Sequence, residues 1–215
     1  FKGIPYAQPP VGALRWKAPK NLSAKDEVID ATKFKSECIQ PGTEGLIPNR
    51  NVSVGSEDCL YLNIYIPKNQ TDLDKNQFPV MFWIHGGSNI WGSGDFYDFS
   101  KLATTQQVIV VTINYRLGLF GWFSSEHLRN TAIGLDKSSN FGQLDLIKGL
   151  EWVQENISAF GGDKDNITIF GESAGGHNVL TLLASPLSEG LFHKAISQSG
   201  YVSSYTQKFA EEESE

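Results

Sequence analysis

The pentapeptide Gly171-Glu172-Ser173-Ala174-Gly175 constrains the fold of this chain more than any other stretch. It fits G-x-S-x-G, the sharp turn that exposes a serine hydroxyl between a buried strand and a following helix. Residues 167–170 are a short β-branched and aromatic run typical of a buried strand, and residues 179–184 continue as an apolar helix. A Cβ at either glycine would clash in so tight a turn, and the serine is expected to be strained. We therefore predict that Ser173 is a nucleophile; a chance match is the competing interpretation.

Hydrophobic periodicity in the rest of the chain predicts strands that alternate with helices. Residues 1–20 are proline-rich and residues 21–56 are polar, so both are predicted to be irregular. Strand-like runs occur at residues 60–66, 79–84, 108–115 and 194–198, and residues 141–157 have the three- and four-residue spacing of an amphipathic helix. This alternation predicts a mostly parallel sheet with helices on both faces, in a single α/β domain over residues 1–215.

The charge balance excludes several classes of partner. The net charge is −6, but Glu211, Glu212, Glu213 and Glu215 supply four of the negative charges, which leaves −6 + 4 = −2 for the rest of the chain. A field this weak does not indicate a nucleic-acid or anionic-membrane partner. No run approaches 18 apolar residues, so no membrane span is predicted. Residues 201–215 are predicted to be a frayed acidic tail.

The two cysteines, Cys38 and Cys59, are separated by 20 residues and permit one intrachain bridge. On spacing alone, a disulfide, two buried thiols and a mixture of unrelated roles all remain open.

A second glycine-rich segment, His85-Gly86-Gly87-Ser88, directly follows the strand-like run at residues 79–84. Its backbone N–H groups can curl toward the serine and donate to the oxyanion of an acyl-transfer intermediate, and the N–H of Ala174 supplies a further donor. A plain tight turn is the alternative interpretation of Gly86 and Gly87. No metal or cofactor is predicted, and the sequence assigns no oligomeric state.

Four blocks of sequence together resemble the type-B carboxylesterase and cholinesterase-like family of the α/β-hydrolase fold. They are Phe1-Lys2-Gly3-Ile4-Pro5-Tyr6-Ala7 with Leu14-Arg15-Trp16, Ser56-Glu57-Asp58-Cys59-Leu60-Tyr61-Leu62-Asn63, His85-Gly86-Gly87-Ser88, and Phe160-Gly161-Gly162-Asp163 running to Gly171-Glu172-Ser173-Ala174-Gly175-Gly176. The resemblance implies an α/β-hydrolase domain that is truncated at both ends. It also implies a serine carboxylic-ester hydrolase that acts on a small-molecule ester through an acyl-enzyme intermediate.

The same resemblance implies a role for particular residues. Ser173 would be the nucleophile, and the N–H groups of Gly87, Ser88 and Ala174 would form the oxyanion hole. Ser88 stands where the family usually has Gly or Ala, which adds bulk near the acyl group. Glu172, which resembles a buried glutamate of the family, and Gly86 would support the site.

Structural pairings are implied in the same way, and spacing alone would not have shown them. They are a Cys38–Cys59 disulfide, which favours a secreted or extracytoplasmic location, and the salt bridges Arg15–Glu57 and Arg116–Asp163.

The general base and its acidic partner are not assigned. In this fold they follow the nucleophile in the order Ser, then Asp or Glu, then His. Of the histidines, His177 and His193 fit packing or structural roles, His85 belongs to the glycine-rich segment, and His127 is predicted to lie in a polar loop. We therefore expect both groups outside this chain. A non-catalytic adhesion or binding relative and an inactive fragment remain open alternatives.

The aromatic residues have two interpretations. Trp83, Trp122 and Trp152 are expected to fill the core. The group that follows the glycine-rich segment, Trp91, Phe96 and Tyr97, either lines an acyl or alcohol pocket or packs as core.

Overall fold

The computed structural model describes residues 1–23, 28–44, 47–67 and 77–212. Its strands are β1 (Ile4–Pro5), β2 (Gln40–Glu44), β3 (Ile47–Val54), β4 (Tyr61–Tyr65), β5 (Phe78–Ile84), β6 (Ile109–Ile113), β7 (Gly162–Glu172) and β8 (Lys194–Gln198). Its α-helices are α1 (Ser100–Gln106), α2 (Gly118–Trp122), α3 (Glu126–Thr131), α4 (Phe141–Asn156), α5 (Ala174–Ala184) and α6 (Gln207–Glu212). Each strand-like run and the helix predicted at residues 141–157 are present, with ends that differ by a few residues.

The central sheet has the strand order β1-β4-β6-β5-β7-β8. The pairs β1–β4 and β4–β6 are antiparallel, whereas β6–β5, β5–β7 and β7–β8 are parallel. The sheet is therefore mixed, and its parallel part runs from β6 to the edge strand β8. In the β5–β7 register Ile84 lies beside Gly171, so these two strands end side by side. The two sequence segments that were predicted to form the site follow these strand ends.

Helices cover both faces of the sheet, as predicted. On one face α4 packs against β5 and β6, and a Cβ on Gly149 would lie 2.2 Å from Cδ1 of Ile113, so the helix approaches the sheet closely there. On the other face Ala103 of α1 packs with Trp83 and Phe170. The alternation of side chains along each strand thus divides the apolar residues between two layers.

The segment predicted to be irregular at residues 21–56 contains an antiparallel hairpin, formed by β2 and β3. The disulfide between Cys38 and Cys59, with its Cα atoms 4.9 Å apart, closes the loop that contains this hairpin. Arg15 and Glu57 form an ion pair next to it. These two pairings confirm what the family resemblance implied.

The predicted Arg116–Asp163 salt bridge is wrong, because Arg116 pairs with Asp145 of α4. Nε and Nη2 of Arg116 donate to the Asp145 carboxylate at 2.8 and 2.7 Å, and the backbone N–H of Arg116 donates at 3.0 Å. Both side chains are buried. Burial raises the pKa of the Asp145 carboxyl, and the facing guanidinium opposes that shift. Asp163, at the start of β7, instead accepts the N–H of Asp165.

The C-terminal segment differs from the predicted frayed tail. Residues Gln207–Glu212 form α6, and Glu211 of this helix pairs with Arg129 of α3, with Nε and Oε1 2.8 Å apart. Residues 213–215, the end of the predicted acidic tail, lie outside the described residues. Within residues 1–23, 28–44, 47–67 and 77–212, no helix combines the length and the apolar character needed to cross a bilayer.

Candidate active site

Ser173 lies at the sharp turn between β7 and α5. Its φ and ψ are 56° and −120°, a strained conformation for a residue with a side chain. Its N–H donates to the carbonyl oxygen of Gln198 at 2.9 Å. A Cβ on Gly171 would lie 2.5 Å from the carbonyl oxygen of Gly175, and a Cβ on Gly175 would lie 2.0 Å from that of Ile84. The two glycines therefore permit this turn, as predicted.

The glycine-rich turn, residues 85–92, follows β5 directly and lies against the serine turn. A Cβ on Gly86 would be 3.2 Å from the Cβ of Ser173 and 2.7 Å from the carbonyl oxygen of Glu172. Only a glycine at position 86 lets the two segments come this close.

The backbone of the glycine-rich turn is unusual. Gly87, Ser88 and Asn89 have φ values of +94°, +58° and +57°, and the N–H groups of Ile90 and Trp91 donate back to the carbonyl oxygen of Gly87. Neither the Gly87 nor the Ser88 N–H donates to another described residue. Ala174 is the first residue of α5, so its N–H lacks an intrahelical acceptor. Within the described ranges none of the three predicted oxyanion donors has a backbone acceptor outside the helices and strands, and their convergence on one oxygen stays a prediction.

The side chain of Gln40 binds the far end of the glycine-rich turn. Its Nε2 donates to the carbonyl oxygen of Gly92 at 3.0 Å, and its Oε1 accepts the Gly92 N–H at 2.7 Å. Gln40 is only 5% exposed and belongs to β2, two residues after the disulfide-bonded Cys38. Two hydrogen bonds, to the N–H and the carbonyl oxygen of Gly92, therefore join the hairpin to the glycine-rich turn.

His85 has a structural environment. Its Nδ1 lies 2.8 Å from the carbonyl oxygen of Gly86, so Nδ1 carries the hydrogen and donates. Its ring stacks on Tyr115 with centroids 4.4 Å apart, and Nε2 is buried without a hydrogen-bond partner among the described residues. Burial lowers the pKa of His85 to about 4, against a usual value of 6.5. The ring is consequently neutral at physiological pH.

Two of the other three histidines make contacts through their rings, and the third lies in a helix. His177 packs edge-on against the ring of Tyr201 at a centroid distance of 3.8 Å. Nδ1 of His193 accepts the N–H of Ile167 at 3.1 Å, which is the structural role expected of it. The prediction of a polar loop for His127 is wrong, because it lies in α3. In the part of the chain that the structure describes, no residue makes a hydrogen bond to the Ser173 hydroxyl.

Glu172, to which the resemblance gives a supporting role, is the residue before Ser173. It lies beside the site, since a Cβ on Gly86 would be 3.3 Å from its Oε2, but its side chain is exposed. Glu172 is the last residue of β7, and in the register of the sheet it lies beside Gln198 of β8.

A cavity of about 270 Å³ lies between the hairpin and the glycine-rich turn. Its lining consists of Pro41, Pro48, Ser88, Ile90 and Trp91. Of the aromatic residues predicted to line a pocket, Trp91 therefore does so here. In contrast, Phe96 and Tyr97 pack edge-to-face with each other.

The three tryptophans that were predicted to fill the core pack in it or against it. Trp83 is buried, and Trp122 and Trp152 are partly buried against the main core. Among the described residues, no group of three or more His, Cys, Asp and Glu side chains is arranged to hold a metal ion.

Sequence reasoning missed two polar residues that hold the glycine-rich turn, Gln40 and Asn178. Asn178 lies in α5, is 2% exposed, and donates through Nδ2 to Oδ1 of Asn89 at 2.9 Å. A signal existed for Asn178, because an amide is unusual on the buried face of so apolar a helix. Gln40 carried no such signal, since it lies in a polar segment whose hairpin was not predicted.

Comparison with known proteins adds independent evidence. The sequence model of the family described as "Carboxylesterase family" matches residues 1–213. A para-nitrobenzyl esterase of Bacillus subtilis (strain 168) is 48% identical over 212 residues, which are 98% of this chain and 42% of that protein. Carboxylesterase 1E of Rattus norvegicus is 46% identical over 210 residues, or 93% of this chain and 36% of that protein.

Solved structures agree with the sequence comparison. A structure titled "PNB ESTERASE" superposes with a TM-score of 0.86 at 45% identity, covering all of this chain and 42% of that one. The chain therefore spans less than half the length of these relatives. The α/β-hydrolase fold predicted from the sequence is confirmed by these neighbours.

Proposed function

The chain belongs to the carboxylesterase family, and on that premise we propose that the full-length protein hydrolyses carboxylic esters through an acyl-enzyme at Ser173. The observation that carries the proposal is the close approach of the strained serine turn and the glycine-rich turn, where a Cβ on Gly86 would lie 3.2 Å from the Cβ of Ser173. A backbone strain of this kind costs on the order of 1–3 kcal/mol and persists chiefly at functional sites.

The proposed reaction has two steps. The Ser173 hydroxyl oxygen attacks the ester carbonyl carbon while its proton passes to a general base, which we expect outside residues 1–215. The carbonyl oxygen becomes an oxyanion that accepts hydrogen bonds from the N–H groups of Gly87, Ser88 and Ala174. The tetrahedral intermediate then expels the alcohol, which takes the proton from the base, and water hydrolyses the acyl-enzyme by the reverse sequence.

The proposed substrate is a small-molecule ester with one apolar group. Ser88, whose N–H would donate to the oxyanion, lines the cavity of about 270 Å³, and the other lining residues are proline, isoleucine and tryptophan. Apolar lining with few polar groups is typical of small-ligand pockets. The Ser88 side chain narrows the space beside the acyl carbon relative to Gly, so we propose a preference for short or unbranched acyl groups.

The test uses the full-length protein and a short-chain p-nitrophenyl ester. We expect release of p-nitrophenol at a rate that the Ser173→Ala variant lowers by at least about 10⁴-fold, because removal of a nucleophile of this type has effects of that order. A fluorophosphonate probe is expected to label the wild-type protein and not the variant. The circular dichroism spectra of the two proteins should coincide.

The opposite result would favour a non-catalytic relative of the same fold. Equal turnover by the wild type and the Ser173→Ala variant, together with no labelling of either, would exclude the acyl-enzyme at Ser173.

A further inference from the structure

A single side-chain contact joins the glycine-rich turn to the helix that follows Ser173. Nδ2 of Asn178 in α5 donates to Oδ1 of Asn89 at 2.9 Å. Asn178 lies five residues after Ser173, and Asn89 directly follows Ser88, whose N–H is a proposed oxyanion donor. The contact therefore spans the two segments whose relative position defines the site.

Asn178 is the principal donor to the Asn89 side chain. The hydroxyl of Tyr115 is 3.2 Å from Oδ1 of Asn89, but it is 2.8 Å from the carbonyl oxygen of His85. Because a tyrosine has one hydroxyl hydrogen, the nearer carbonyl oxygen is its main acceptor. Without Asn178, Oδ1 of Asn89 would retain only the longer and shared contact.

The backbone of Asn89 is held as well. Its φ of +57° is in the left-handed region, and its carbonyl oxygen accepts the Gly118 N–H at 2.7 Å. A residue fixed at both its backbone and its side chain transmits its position to its neighbour Ser88 through one peptide plane.

We propose that Asn178 is a positioning residue that sets the N–H of Ser88 relative to the Ser173 hydroxyl by holding Asn89. This inference rests on the proposed function and deepens it. Asn178 does not touch the reacting atoms; it acts on the turn that carries the donors. Asn178 is only 2% exposed, and burying an amide costs free energy unless it is hydrogen-bonded, as it is here to Asn89.

The oxyanion donors act mainly in the transition state, and this decides which kinetic parameter a change at Asn178 affects. A donor aimed at the oxyanion stabilises the transition state and not the bound ester, so its displacement lowers kcat without raising KM. A misplacement of about 1 Å can lower a rate by roughly 100-fold. For Asn178→Leu in the full-length protein we therefore expect kcat to fall by about 10- to 100-fold while KM stays within about twofold.

A second buried asparagine supplies the matched control. Asn63 is 5% exposed and is also hydrogen-bonded through its side chain, donating to Oγ1 of Thr112 at 3.0 Å and accepting the Gly3 N–H at 2.8 Å. It lies in β4, which is separated from β5 by β6. Asn63→Leu makes the same chemical change away from the turn, so it should lower the thermal midpoint comparably and leave kcat unchanged.

A conservative change at the acceptor tests the specific contact. Asn89→Asp keeps an acceptor for Asn178 and should retain kcat within about threefold, whereas Asn89→Ala should lower it as much as Asn178→Leu does. Both losses break the Asn89–Asn178 contact, and Asn178→Leu also removes the hydrogen bond between the side chains of Asn178 and Tyr115. The double variant Asn89→Ala/Asn178→Leu should therefore be no slower than the slower single variant by more than about twofold. Fully multiplicative losses would overturn the proposal.

The remaining outcomes separate this inference from the proposed function. Equal kcat values for Asn178→Leu and Asn63→Leu, or a rise in KM alone, would overturn the positioning role. If the wild-type protein shows no Ser173-dependent turnover, the proposed function fails, and amide hydrogen exchange over residues 85–92 decides the positioning role. Faster exchange there in Asn178→Leu than in Asn63→Leu supports it, and equal exchange overturns it.

Discussion

At the scale of single residues, the buried ring of His85 makes the stability of the protein depend on pH. Its pKa is lowered to about 4 in the folded protein, whereas the usual value is 6.5. Between these values the unfolded chain binds a proton that the folded chain does not, so stability is complete above pH 6.5 and falls as pH decreases. From pH 6.5 to pH 5 the expected loss is about 1.6 kcal/mol of unfolding free energy, because the slope grows from about half of 1.4 kcal/mol per pH unit at pH 6.5 to nearly its full value at pH 5. Urea unfolding at several pH values measures it.

Comparison with a His85→Gln variant isolates this contribution. A glutamine amide can still donate to the carbonyl oxygen of Gly86 but does not titrate. We expect the variant to be less stable than the wild type at pH 7.5 and to lose less stability between pH 6.5 and pH 5. If both proteins lose the same amount, His85 is not the group responsible.

Residues whose role is set by their neighbours in the chain could be predicted from the sequence. Ser173 and its flanking glycines satisfy a local backbone requirement, which the spacing of G-x-S-x-G expresses directly. The partner of Arg116 could not be predicted, because Asp145 is 29 positions away and reaches it only through the packing of α4 on the sheet. The Asn89–Asn178 contact spans 89 positions and was missed for the same reason.

At the scale of elements, the Cys38–Cys59 disulfide is expected to stabilise the hairpin and the glycine-rich turn together. Closing a loop of this length contributes on the order of 3 kcal/mol in the chain-entropy model. Replacement of both cysteines by serine should lower the unfolding free energy by about that amount, which urea unfolding measures. It should also lower kcat in the full-length protein, because Gln40, which binds Gly92, lies two residues after Cys38.

A second variant distinguishes the effect of the Gln40–Gly92 contact from the effect of the disulfide. Gln40→Ala keeps the disulfide and removes only the contact with Gly92, so its kcat should fall while its stability stays above that of the cysteine variant. An unchanged kcat in both variants would show that the hairpin does not hold the turn.

The central strands were predictable as elements and the hairpin was not. Strands β5 and β6 are apolar over most of their length because they are buried on both faces, and that pattern is visible in the sequence. The hairpin strands β2 and β3 contain Pro41, Gly42 and Pro48, which are typical of loops. The hairpin they form lies within the disulfide loop and contacts the glycine-rich turn through Gln40, and neither feature is visible in local periodicity.

At the scale of the whole molecule, the site forms where two parallel strands end side by side. The pairing of Ile84 with Gly171 brings together segments that are 87 positions apart, one with the nucleophile and one with the proposed oxyanion donors. Alternating strands and helices predicted a mostly parallel sheet, and the two glycine-containing motifs that follow strand-like runs predicted the segments of the site. The base and acid were predicted to lie beyond residue 215, and this assignment remains a prediction.

Residues 1–215 expressed alone are therefore expected to hydrolyse a short-chain p-nitrophenyl ester negligibly and to react poorly with a fluorophosphonate. A serine hydroxyl is a weak nucleophile without an adjacent base. In the described residues no side chain is hydrogen-bonded to the Ser173 hydroxyl, and His85, His177 and His193 are each held by other contacts. Oxyanion donors and binding alone leave about 10³- to 10⁴-fold acceleration over water, far below an intact triad. The full-length protein, assayed in parallel, should be active and labelled. Rapid turnover by residues 1–215 that Ser173→Ala abolishes would instead mean that the base lies within them.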